Sequence, residues 1–167
     1  MTFNFTPIEA QSDFTNVPYI EDARADFAPY YASTKTPERA KKEVLEVLAM
    51  LHATGFFTEG DFQVGKHKRR GYVLQFNAGG ALGRMTVAGL PIHYFTQKKL
   101  DQVRTQALLN LKDWLRNAVT SQVFTPGSNP LIPFMLVDGQ RTLLEAILED
   151  RRLPLLGVPA VKVEVVE

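Results

Sequence analysis

Between residues 62 and 88 the hydrophobic side chains recur at every second position, and on either side of that stretch they recur at helical spacing. The order helix, strands, helix leaves few ways to bury the apolar surface. Thr36-Pro37-Glu38 supplies a hydroxyl cap, a proline at the first helical position and an acid that complements the macrodipole. Ala40, Val44, Leu45, Val47, Leu48 and Leu51 follow at spacings near 3.6, which predicts a helix over 37–54 with Gly55 as its left-handed stop.

Strands are expected at 62–66, 72–77 and 84–88, separated by the basic turn His67-Lys68-Arg69-Arg70-Gly71 and by the loop Ala78-Gly79-Gly80-Ala81-Leu82-Gly83. Alternation assigns Phe62, Val64, Tyr72, Leu74, Phe76, Met85 and Val87 to one face, and Gln63, Val73, Gln75, Asn77, Arg84 and Thr86 to the other. Thr96 then caps a helix over 97–119 with an apolar stripe of Leu100, Val103, Ala107, Leu108, Leu111, Trp114, Leu115 and Ala118; Lys98, Lys99, Arg104, Lys112 and Arg116 fall largely off it.

Residues 1–35 lack a period but contain Phe3, Phe5, Phe14, Tyr19, Phe27, Tyr30 and Tyr31, as expected of an irregular aromatic arm packed on the body or on a partner subunit. Its acidity suits it to shield a basic face. A short helix is expected from Thr142 to about Asp150, and Val161-Lys162-Val163-Glu164-Val165 reads as an edge strand. The expected fold class is α+β: an antiparallel sheet of about three to five strands with one face covered by two long helices. The arm occupies 1–35 and a single domain 36–167, a division that suits 167 residues.

The chain contains no cysteine, which removes disulfides, thiolate metal sites and cysteine nucleophiles. No window resembles a secretory leader or a membrane span, so a cytoplasmic protein with no membrane partner is expected. The formal net charge of +1 conceals an uneven distribution. Residues 61–104 carry eight basic and two acidic side chains, whereas residues 1–35 carry two basic and five acidic.

Clustered lysine and arginine neutralise phosphates, and aromatic side chains beside them stack bases. Lys66, His67, Lys68, Arg69, Arg70 and Arg84, with Lys98 and Lys99 at the following helix start, are therefore candidate nucleic-acid contacts. A solvated hairpin tip would carry similar charge. Tyr72 faces the core by alternation, which leaves His67 and Tyr94 as the stacking candidates.

The element order over 37–119 resembles the double-stranded-RNA-binding domain, with Lys98-Lys99 near the start of the second helix, where that family keeps basic residues. The chain departs from the family in replacing an alanine-rich second helix with Leu108, Leu109, Leu111 and Trp114, and its helix-start motif is incomplete. The resemblance implies a topology and carries little about function.

Other chemistries find little footing. The glycine loop 79–83 joins two strands, whereas a phosphate-binding loop opens a helix. His52, His67 and His93 have no metal-ligand spacing, and Ser33, Ser121 and Ser128 have no nucleophile-elbow context. Glu59 and Asp61 before Lys66 and Lys68 echo an acid-then-lysine nuclease pattern, but the next strand supplies no second acid. The expected function is non-enzymatic binding of single-stranded DNA or RNA with little sequence specificity, with no cofactor, no bound metal and no catalytic residue. The alternatives are a structural or assembly protein forming a homo-oligomer through the arm and the terminal strand, and a metal-dependent nuclease.

Overall fold

In a computed structural model the described residues are 17–23, 29–64 and 66–150, with side chains described through 147. The expectations for Phe3, Phe5, Phe14, Phe27 and the strand 161–165 lie outside them. The elements are α1 (Pro37–Met50), β1 (Ala53–Val64), β2 (His67–Ala78), β3 (Ala81–Ala88), α2 (Gln97–Phe124), a 3-10 turn (Ile132–Phe134) and α3 (Leu143–Asp150). The sheet is antiparallel in the order β1-β2-β3, so the fold is α+β.

The Thr36 hydroxyl accepts the Arg39 N–H at 3.3 Å, and Pro37 opens α1. The helix ends earlier than its periodicity implies. Leu51 and His52 donate back to Leu48 and Ala49, and His52, not Gly55, takes the left-handed conformation (φ 56°). Gly55 is instead inside β1, where a Cβ would come 2.6 Å from the Gln75 carbonyl and 3.2 Å from Leu48. The missing side chain lets α1 pack closely on the sheet.

Val44 and Leu48 of α1 and Leu108 and Leu115 of α2 close over Tyr72, Leu74, Phe76 and Met85, all buried. Each fully buried side chain of this size contributes about 1.5–3 kcal/mol relative to exposure. Gln106 and Gln102 of α2 donate to the Pro29 and Tyr31 carbonyls, and the Tyr30 hydroxyl donates to Asp113, so residues 29–31 lie along this helix.

Two expectations for the strands are corrected. Residues 67–71 are not a turn: Val64 pairs opposite His67, and the basic run forms the first five residues of β2. The register also pairs Phe62 with Arg69 and Val64 with His67. Side chains directly opposite share a face, so Phe62 and Val64 lie on the face away from Tyr72, and Phe57 is the β1 aromatic that packs toward the core. The observed register pairs even-numbered residues of β1 with odd-numbered residues of β2, and that parity inverts the assignment made from β1 alone. The β2–β3 loop is likewise tighter than expected, with Gly79 (φ 60°) and Gly80 (φ 89°) between the paired Ala78 and Ala81.

Beyond α2, Met135 bridges to Gly83, and Leu136 donates to the Leu82 carbonyl at 2.8 Å. Thr142 and Glu145 exchange hydrogen bonds as a capping box that starts α3. Among the described residues no helix is long and apolar enough to cross a membrane.

Candidate functional site

The basic residues gathered by the sequence divide into three groups in space. The first is structural. Arg69 donates from Nε to the Gly89 carbonyl at 2.7 Å and from Nη2 to the Ala88 carbonyl at 2.8 Å, fastening the end of β3 to β2. Desolvation by burial lowers its pKa. His67 is 6 % exposed, with its ring edge-on to Tyr19 at 5.0 Å, so neither is offered to a ligand as expected. Arg104, expected off the apolar stripe, is 8 % exposed and grips Glu59 through two bonds of 3.1 and 2.9 Å. Lys112 also turns inward, to Glu43 at 3.0 Å.

The second group is Arg84 alone, which pairs with Glu145 of α3 at 2.7 Å. It stands opposite Gln75, seven residues along β2 from Lys68 and about 24 Å away at strand spacing. It also faces the other side of the sheet, by the alternation of β2 and β3. Arg84 borders an open hollow of about 540 Å³ that includes Phe56, Gln75 and Asn77, separate from the remaining cations.

The third group converges. Lys68 and Arg70, at the start of β2, share Asp61 at 3.0 and 3.9 Å. The Lys68 hydrogen bond lowers the Asp61 pKa. Beside them the 89–96 connection brings Tyr94 and Phe95 to the surface, 68 % and 55 % exposed. The Arg70 guanidinium lies 4.4 Å over the Phe95 ring. Lys68, Arg70, Leu90, Ile92 and Phe95 enclose a hollow of about 150 Å³. Thr96 caps α2 by accepting the Lys99 N–H at 3.2 Å, which sets Lys99 beside the Tyr94 ring, whereas Lys98 lines a different hollow with Tyr31, Lys35 and Pro37. Among the described residues Lys66 and Lys98 form no ion pair.

Lys99 is already partnered. Its ammonium meets Glu21 at 2.7 Å and the Tyr94 carbonyl at 3.0 Å. Glu21 also accepts the backbone N–H groups of His93 (3.2 Å) and Tyr94 (2.9 Å). Desolvation pushes this carboxyl up, but the Lys99 bond and the two backbone donors outweigh it and hold its pKa at about 2. The segment carrying Glu21 is fixed by Ile20, buried and donating to the Pro91 carbonyl at 2.9 Å, and by Tyr19, edge-on to His93 at 5.1 Å.

Glu21 and Phe95 were not expected at the site. Phe95 carries a weak local signal, an aromatic beside a helix cap. Glu21 carries none, since it reaches the site only through the tertiary fold. Glu21, Glu59 and Glu145 all lie outside 61–104, so the local charge excess is reduced in space by acids from elsewhere. Among the described residues no group of three histidine, aspartate or glutamate side chains is placed to hold a metal ion.

An α+β fold with a basic and aromatic cluster at one end of its sheet is the class these features define. No protein-family model, curated protein or solved structure matches the chain. The likeness to double-stranded-RNA-binding domains therefore rests on element order alone.

Proposed function

We propose that the protein is a non-enzymatic binder of single-stranded DNA or RNA, using the surface formed by Lys68, Arg70, Tyr94 and Phe95. The observation that carries this reading is Arg70 stacked over the exposed Phe95 ring at 4.4 Å, with Lys68 lining the same hollow. Exposed rings take unpaired bases, and neighbouring cations take the phosphates between them. The rings stand on a connection between a sheet and a capped helix, and the cations rise from a paired strand, so little ordering remains at binding. A labelled oligothymidylate titration tests it. Phe95→Ala is expected to weaken binding by about 1–3 kcal/mol, near tenfold, with the fold intact by circular dichroism. Unchanged affinity in both Phe95→Ala and Arg70→Ala contradicts the assignment.

A second reading, assembly into a homo-oligomer, is favoured by a different observation. Val123 and Phe124 at the end of α2 are 73 % and 81 % exposed. β3 is an outer strand whose free side, among the described residues, is bridged only at Gly83. Light scattering is expected to give a mass above the monomer that falls to the monomer in Phe124→Asp. A monomeric wild type removes this reading.

A further inference from the structure

Around Glu21, two backbone N–H groups and one ammonium point at a single carboxylate, at 3.2, 2.9 and 2.7 Å. Converging backbone donors with a lysine form an anion-binding nest, and two carboxylate oxygens present much the same acceptor pair as the non-bridging oxygens of a phosphodiester. We propose that this nest, made of His93 N, Tyr94 N and Lys99 Nζ, is a phosphate subsite of the binding surface, and that Glu21 is an internal anion occupying it until a backbone phosphate displaces it. The inference rests on the reading of the protein as a single-stranded nucleic-acid binder.

The placement of charge supports it. The first turn of α2 contains no acid and two lysines, Lys98 and Lys99, at the helix end where positive charge is unfavourable. A sequence selected for helix stability alone would place an acid there. Glu21 supplies that missing anion from 78 residues away, and an anion so distant in sequence is separable from the helix. The subsite adjoins Tyr94, whose exposed ring lies 5.7 Å from Lys99 Nζ, so a phosphate in the nest would set its base beside a stacking surface. Glu21 also remains ionised down to about pH 2, and the nest is therefore filled at neutral pH. Displacement requires the Glu21 side chain to swing out, while Ile20 and Tyr19 keep their own anchors.

The test compares four proteins against the same labelled oligothymidylate: wild type, Glu21→Gln, Glu21→Gln with Lys99→Ala, and Glu46→Gln. Glu46 is exposed on α1 and takes no part in the bonds of the nest, and its substitution changes the net charge equally. Glu21→Gln is expected to bind about three- to tenfold more tightly, because phosphate no longer competes with a tethered anion. Its salt slope is expected to be steeper by about 0.7, the contribution of one further single-strand phosphate. Adding Lys99→Ala is expected to abolish the gain, and Glu46→Gln to produce none. Equal affinity of Glu21→Gln and wild type, a gain that persists without Lys99, or an equal gain in Glu46→Gln overturns the subsite while leaving the nucleic-acid reading in place. No binding by any of the four proteins overturns that reading itself. Thermal melts of each variant identify any loss of fold, and a variant that melts early is replaced by Glu21→Asp, whose shorter side chain is expected to give an intermediate gain.

Discussion

Arg70 and Arg69 are adjacent and identical in type, yet the strand's alternation sends one to the Phe95 ring and the other to two carbonyl groups. Chemistry at this site is decided residue by residue, by which face of β2 each occupies. Gly71 fixes the geometry that permits it. A Cβ there would stand 1.8 Å from the Val87 carbonyl oxygen, so only glycine lets β3 approach at this point. Gly71→Ala is expected to cost about 1–3 kcal/mol or more, because the obstacle is backbone and cannot rotate aside. Urea unfolding checks this, and an unchanged midpoint contradicts it. The inward turn of Arg104 was not legible in the sequence. An arginine beside an apolar stripe reads as exposed until Glu59, 45 residues away, arrives to pair with it.

Among the elements, α1 and α2 are joined by more than their apolar stripes. Glu43 receives Lys35 at 2.7 Å and Lys112 at 3.0 Å, and these bonds, that of Lys35 foremost, hold its pKa at about 2 against an ordinary 4.5. A carboxyl depressed in the folded state stabilises the fold above its unfolded pKa and loses that contribution as pH falls through the folded value. Wild-type stability is therefore expected to decline between about pH 4.5 and 2, and Glu43→Gln to show a lower plateau with a shallower decline over that range. Parallel unfolding profiles for the two proteins contradict this role. At this scale the sequence was most informative. Periodicity and capping located both long helices, β2 and β3, whereas β1, expected at 62–66, runs over Ala53–Val64, its start hidden because Gly55 reads as a helix stop. The start of β2 escaped because charged residues in a strand resemble a turn until their cross-strand partners are known, as Arg69 and its carbonyl acceptors show. The face of Phe62 depended on the cross-strand register, which alternation within one strand does not set.

Across the whole molecule, the sequence excess of positive charge becomes one modest cluster. Glu21, Glu59 and Glu145 neutralise Lys99, Arg104 and Arg84 from elsewhere in the chain, and Arg84 stands on the opposite face from Lys68 and Arg70. What remains together is Lys68 and Arg70 beside Phe95, with Lys99 next to them over Tyr94. Such a surface predicts moderate affinity with a shallow salt dependence, unlike the steep response of an extended basic groove. The most direct measurement is the affinity of the wild-type protein for an oligothymidylate across a series of salt concentrations. Neutralisation of about three phosphates predicts binding at low salt and a logarithmic slope near −2. Absence of binding at low salt, or binding indifferent to salt, contradicts the account.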